Sequence, residues 1–162
     1  MIALKLMYEE LGFRDITTYI QSGNVVFRAS QLEPPRKLGS MIRKKITLTF
    51  GFDVPVIVRT LDDWNSILNT NPFHDDPEID RDKLYVTLLE DEPDPARVTK
   101  LKPADYLPEK FIWAGMTIYL YCPNGYGRTK LNNNFFEQKL KVAATTRNWK
   151  TMIALRDIAS KT

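Results

Sequence analysis

Two stretches near the C-terminal end of the chain collect the residue types that hold anions: "NGYGRTK", Asn124 to Lys130, and "ATTRNWK", Ala144 to Lys150. Each places an arginine, a lysine and hydroxyls ahead of an apolar run that reads as a helix. Free backbone amides in a helix's first turn, with the positive end of its dipole, would point into such loops and favour a phosphate or carboxylate. Arg128, Thr129, Lys130, Thr145, Thr146, Arg147 and Lys150 are therefore the candidate ligand-binding residues. A plainer reading makes Thr129, Thr146 and Asn148 helix caps, Trp149 a core residue and the cations solvated. Caps explain the threonines and the asparagine. They do not explain cations at helix starts, where the dipole opposes each by roughly 0.3 to 1 kcal/mol. "GYGRTK" is not a Walker loop, because the four-residue gap between glycines is missing. The two stretches are expected at opposite ends of one helix and a short strand, so Arg128 and Arg147 need not meet on a single anion.

Other chemistries fit the residues less well. "HDDPEIDRD", His74 to Asp82, offers a metal one histidine and several acids, but it lacks the glycine and terminal glutamate of a calcium loop and Pro77 interrupts it. A solvated acidic linker is the expectation there, with no metal and no cofactor. Cys122 is the single cysteine and His74 the single histidine, which excludes a disulfide framework and the usual zinc clusters. As a nucleophile Cys122 would need His74 for its base, and a small buried or edge thiol is the plainer account. Ser22 and Asn24 in "YIQSGN" belong to a turn for backbone reasons. No catalytic residue is assigned.

Nucleic acid is a natural form for the anion, since Phe111, Trp113, Tyr119, Tyr121 and Tyr126 lie in or beside one hairpin and could stack bases with cations nearby. Against that stand the absence of an RNP-type signature and a net charge of only +3. The distribution of charge is more informative. Met1 to Cys122 carries 15 Lys+Arg against 18 Asp+Glu, net −3, whereas Pro123 to Thr162 carries 8 against 2, net +6. Asp75 to Asp94 holds nine acids with only Arg81 and Lys83 as bases, net −7. No apolar run approaches the ~20 residues needed to cross a bilayer, and acids appear too early for a signal peptide. A cytoplasmic protein without a membrane partner is expected.

The elements repeat. Leu4, Met7, Tyr8 and Leu11 have helical spacing up to Gly12, and "ITTYI" and "NVVF" flank "QSG" as a hairpin turning at Gly23-Asn24. A helix through Leu38, Met41, Ile42 and Ile46 runs to Gly51, "VPVIVRT" alternates as a strand, and "LDDWNSILNT" opens a helix capped by Asp62 or Asp63. The second half reads as strand "KLYVTLL", a helix at "DEPDPARV", a hairpin around Ala114-Gly115, helix "KLNNNFFEQKL", short strand "VAATT" and helix "NWKTMIALRDIA". Repetition of element order constrains both halves together. Strand-helix-hairpin-helix-strand is the ferredoxin-like unit, whose leading strand lies inside the sheet, and the first half starts without one. The expectation is an α+β protein of two fused ferredoxin-like units: residues 1–70 for the incomplete first, 71–82 for an acidic linker, and 83–162 for the second with its closing helix.

"LGFRDITTYIQSGNVVF", "DVPVIVRT", "NPF", "YVTLLEDEPD", "IYLYCPNGYGRTKLNNNFFEQKL" and "ATTRNWKT" closely resemble blocks of the DUF1697 family, bacterial proteins known mainly as a domain of unknown function. The resemblance spans almost the whole chain. It implies an additional leading strand and glycine-containing loop of the type "YIALLRGINVGG", which this sequence lacks. A start codon assigned too late, trimming and natural truncation are the three explanations, the first two favoured. A sheet without an interior strand leaves buried donors and acceptors unpaired at about 1 to 3 kcal/mol each, rivalling the ~5 to 15 kcal/mol stability of a domain. The chain alone is then expected to be weakly stable or to associate with another copy through the open edge. Three function classes follow: a non-catalytic module binding a nucleotide or nucleic-acid phosphate, an enzyme acting on a small phosphorylated or carboxylated metabolite, and a partner-binding protein using the sheet edge.

Overall fold

A computed structural model describes residues 2–19, 23–30 and 32–162, which form two compact units. Unit 1 comprises residues up to Asn65 together with Ala154–Thr162, and unit 2 comprises Ser66–Ile153. The segment 71–82, expected as a linker, lies within unit 2, where Asn71, Phe73 and Ile79 are buried. The fold is a mixed α+β one with a two-stranded and a four-stranded sheet.

Unit 1 begins with α1 (Ile2–Glu10), the hairpin strands β1 (Arg14–Tyr19) and β2 (Asn24–Arg28), and α2 (Pro35–Phe50). Apolar periodicity aims Met7 and Tyr8 of α1 and Leu38 and Ile42 of α2 at one core with Phe13 and Ile16. The rings of Tyr8, Phe13 and Phe27 meet there at centroid separations of 4.5 to 5.9 Å. α2 has Pro35 in its first turn and stops at Gly51, whose φ of +78° gives a left-handed cap donating to the Thr47 carbonyl. β1 and β2 pair antiparallel with Tyr19 opposite Asn24, so their connection spans four residues rather than turning on Gly23-Asn24. Of these, 20–22, including the "QS" of the expected turn, lie outside the described residues.

One expected strand is absent. Val54 to Thr60 forms no ladder, although its valines alternate and Val56 and Val58 pack half-buried against the unit 1 core. A strand needs a hydrogen-bonded neighbour, and among the described residues none lies alongside. The segment instead presses on α2, where a Cβ built on Gly39 would stand 2.9 Å from the Val56 carbonyl oxygen. α3 (Leu61–Asn69) follows, and its first turn is capped by Thr60, whose Oγ1 accepts from the Asp63 amide at 3.1 Å. Asp62 and Asp63, expected as the cap, sit inside that turn, where the dipole favours acids.

Unit 2 contains β3 (Leu84–Leu89), the short α4 (Pro95–Thr99) capped by Asp94, β4 (Lys110–Ala114), β5 (Thr117–Tyr121), α5 (Asn133–Leu140), β6 (Ala144–Asn148) and the start of α6 (Trp149–Ser160). The sheet order is β4-β5-β3-β6, all pairs antiparallel, which puts β3 in the interior. Burial on both faces explains why β3 reads as an almost unbroken apolar run. Ala114 pairs with Thr117 across a turn in which Gly115 takes a φ of +62°. Phe111, Ile118, Leu120, Phe136 and Leu140 form the core between the sheet and its helices.

Candidate functional site: one end of the four-stranded sheet

Register brings the two basic stretches to the same end of the sheet. Leu84 lies opposite Tyr121 at the end of β5, and Tyr85 lies opposite Asn148 at the end of β6. Residues 124–130 leave β5 at that end, and Asn148–Lys150 leave β6 there, with the first residues of β3 between them. The separation expected along the chain is therefore closed by pairing to a common neighbour.

A hydrogen-bond chain joins the two. The Tyr126 hydroxyl accepts from the Asn133 amide at 3.1 Å and donates to Asn133 Oδ1 at 3.3 Å. Thr146 Oγ1 donates to the same Oδ1, which leaves Thr87 as the donor in its 2.8 Å contact with Thr146 Oγ1. The Tyr126 ring packs on Tyr85 at a centroid distance of 5.2 Å. Thr87 is fully buried, and a satisfied network of this kind fixes geometry because any member left unpaired would be costly.

The candidate residues divide by environment. Arg128, Lys130 and Lys150 are exposed, Arg128 closing a single 3-10 turn (Tyr126–Arg128) and Lys150 standing in the first turn of α6. Thr129 is buried, its Oγ1 accepting from the Leu131 amide at 2.9 Å. α5 starts later than the basic stretch, capped by Asn132 through the Phe135 amide, so Arg128 to Lys130 do not form its first turn. Thr145, Thr146 and Arg147 belong to β6 rather than to a loop before α6, because β3 supplies the ladder that makes Ala144–Asn148 a strand. The dipole argument therefore leaves Arg147 and keeps only Lys150. Asn148 caps α6, accepting from the Thr151 amide at 2.7 Å, and Trp149 is buried, as the plainer reading has it.

Arg147 is half-buried. Its Nη1 donates to Thr145 Oγ1 at 2.6 Å and to the Thr146 carbonyl at 2.9 Å, folding the guanidinium back along the edge strand. Burial lowers its pKa from the ordinary arginine value, opposed by Tyr126. It remains a cation at neutral pH, and burial has cost it part of its hydration.

The aromatics do not make an open stacking surface. Phe111 and Tyr119 are buried, and the Tyr119 hydroxyl is held by the Ile67 carbonyl at 2.8 Å and by Thr70 at 3.1 Å. Trp113, Tyr121 and Tyr126 are half-buried. Cys122 is fully buried, and burial pushes its thiol up to about 12, the Thr129 hydroxyl opposing. Among the described residues, no group of three or more histidine, cysteine or acidic side chains gathers to hold a metal, and no helix is long and apolar enough to cross a membrane.

Cys122 gives a direct check. A thiol held far above neutral pH and sealed from solvent is not a nucleophile. Iodoacetamide at about pH 8 is expected to label the native protein no faster than unit 2 opens, with full labelling in denaturant. The folded pKa lies above the unfolded one, so this thiol's contribution to stability is complete below the unfolded pKa of about 8.5 and is lost as pH climbs towards 12. Rapid native labelling at neutral pH would mean that Cys122 is reachable and activated.

A search of curated proteins found no match. Among solved structures, the conserved bacterial protein SP0830 from Streptococcus pneumoniae is similar over 98% of this chain and 88% of that one, with a TM-score of 0.71 and 18% sequence identity, a likeness of fold. A family model described as "Protein of unknown function (DUF1697)" matches residues 1–119, ending before both basic stretches. Since the match runs over residues 1–119, through α1 to Tyr119 on β5, the chain belongs to the DUF1697 family.

Proposed function

We propose that unit 2 is a ferredoxin-like module of a bacterial cytoplasmic protein, and that it binds an anionic ligand, a nucleotide or nucleic-acid phosphate, without catalysing a reaction. The observation that carries this reading is the register of β5 and β6 against β3, which collects residues 124–130 and Asn148–Lys150 at one end of the sheet. Arg128, Lys130 and Lys150 supply exposed charge, and Arg147 supplies a partly desolvated cation. Thr145 Oγ1 and the Thr146 carbonyl orient the Arg147 guanidinium, while the Thr146 and Thr129 hydroxyls bond Asn133 Oδ1 and the Leu131 amide. Interior placement of the leading strand supports the ferredoxin-like assignment.

The test is the binding of a labelled single-stranded RNA across a salt series, with free nucleotides as competitors. Each phosphate neutralised contributes about 0.7 to the slope of log K against log salt on a single strand. Wild type is expected to show a slope of about 2 to 3, and the pair Arg128→Ala with Lys130→Ala is expected to reduce it by about 1.4. A slope near zero, or one unmoved by the pair, would remove the reading. Saturable thermal stabilisation by a small phosphorylated or carboxylated metabolite, without RNA binding, would instead favour the enzyme class.

A further inference from the structure

Register carries the basic end of the four-stranded sheet beyond the two C-terminal stretches. Lys110, which opens β4, lies opposite Tyr121 at the end of β5, and Tyr121 lies opposite Leu84 at the start of β3. The Lys83 carbonyl accepts from the Cys122 amide at 2.9 Å. Lys83 and Lys110 therefore stand at the strand ends from which residues 124–130 and Asn148–Lys150 depart. The Thr129 hydroxyl reaches the Cys122 thiol, which sets its sequence neighbours Arg128 and Lys130 beside the end of β5. Four strands cover three inter-strand spacings of about 4.8 Å, roughly 14 Å in all. Acids are fewer at this end. Asp80 is turned onto the Asp82 amide at 2.9 Å and Glu109 onto the Cys122 thiol, while Arg81 and Lys83 offset Asp80 and Asp82.

We propose, building on the anion-binding reading above, that the ligand is a single-stranded nucleic acid crossing the strand ends from β4 to β6, with Lys83 and Lys110 contacting its phosphates beside Arg128, Lys130 and Lys150. A single phosphate gathers cations around one point. Cations spread across four strand ends are matched instead by phosphates in series, and a free nucleotide would leave the outer ones unused. Tyr121 supplies the second half of the recognition. It is half-buried in the row between Lys110 and Leu84, so its ring is anchored by the sheet while part of it stays open to a base. Cations that track a backbone and an aromatic that takes a base are the sequence-tolerant way of holding a single strand. An acidic peptide would satisfy the cations but bring no base to Tyr121.

The experiment measures binding of the full chain to labelled oligouridines of one to about twelve nucleotides over a salt series, with oligothymidine, an abasic strand and polyglutamate as comparisons. Affinity and salt slope are expected to rise with length and then level off, because the row of cations is finite. Lys83→Ala and Lys110→Ala should each lower the slope for the longest strand by about 0.7 while leaving the melting temperature unchanged. Tyr121→Ala should weaken oligouridine at least fivefold and the abasic strand hardly at all, with Tyr121→Phe restoring the affinity. Oligothymidine binding equally or more weakly supports the proposal in either case and identifies the sugar. Binding that depends on Arg128 and Lys130, but is the same for one nucleotide as for twelve and indifferent to Lys83 and Lys110, would keep the phosphate site and overturn the strand path. Polyglutamate binding as tightly as RNA of equal charge would assign the surface to an acidic protein. No binding of any of these anions would remove both readings.

Discussion

Phe136→Ala is expected to lower the unfolding free energy of unit 2 by about 3 to 5 kcal/mol. Phe136 is fully buried on α5, with the rings of Phe135 and Phe111 at 5.3 and 6.1 Å and Leu140 one turn further along the same face. Truncation removes the ring's transfer free energy and leaves a cavity among groups that cannot all collapse, since Phe111, Ile118 and Leu120 are fixed by the sheet ladders. Against a domain stability of about 5 to 15 kcal/mol, that loss is severe. Native-state hydrogen exchange at β3 and β5 should accelerate by roughly two to three and a half orders of magnitude, the same free energy expressed as a rate ratio. Phe135→Ala, at a half-buried position, should cost clearly less. A loss below about 1 kcal/mol for Phe136→Ala would mean that the two layers are not packed at native density.

Gly39→Val is expected to destabilise unit 1 by about 1 to 3 kcal/mol. A glycine inside a helix is ordinarily a defect of about 1 kcal/mol relative to alanine, so a substitution there should stabilise unless the position is needed. Here a Cβ would lie 2.9 Å from the Val56 carbonyl oxygen and 3.7 Å from Val58 Cγ2. The first contact is with backbone, which cannot swing aside as a flexible side chain would. Ser40→Ala, at the exposed neighbouring position, isolates the helical propensity and should gain a few tenths of a kcal/mol. Hydrogen exchange along α2 reads both effects. Wild-type protection in the Gly39→Val protein would show that Val54 to Thr60 is loosely seated.

Hydrophobic periodicity and cap chemistry were enough to find the helices: Met7, Tyr8, Leu38 and Ile42 mark buried faces, Asp94 and Pro95 start α4, and Gly51 ends α2. These features act over one or two turns, so their causes lie within the segment that shows them. Asn148 and Trp149 likewise take the roles their types suggest, cap and core. The positions that misled are those whose state depends on a distant neighbour. "VPVIVRT" alternates as well as any strand here and forms none, while the short strand read at "VAATT" forms and runs on through Arg147 and Asn148, β6, because β3 lies beside it.

The candidate site shows the same division. Residue types alone singled out Arg128, Lys130, Arg147 and Lys150 as cations in hydroxyl-rich stretches. Their gathering at one sheet end was not legible, because sequence separation suggested opposite ends of a helix and strand. Nor could spacing reveal the Tyr126, Asn133, Thr146 and Thr87 chain, whose members meet only when β6 pairs with β3. By itself the sequence determined the helices, the alternating runs and the polarity of charge. Only the tertiary structure decided which alternating run became a strand and which basic stretches leave the same end of a sheet, since a ladder hydrogen bond needs two segments and one chain stretch can supply only half of it.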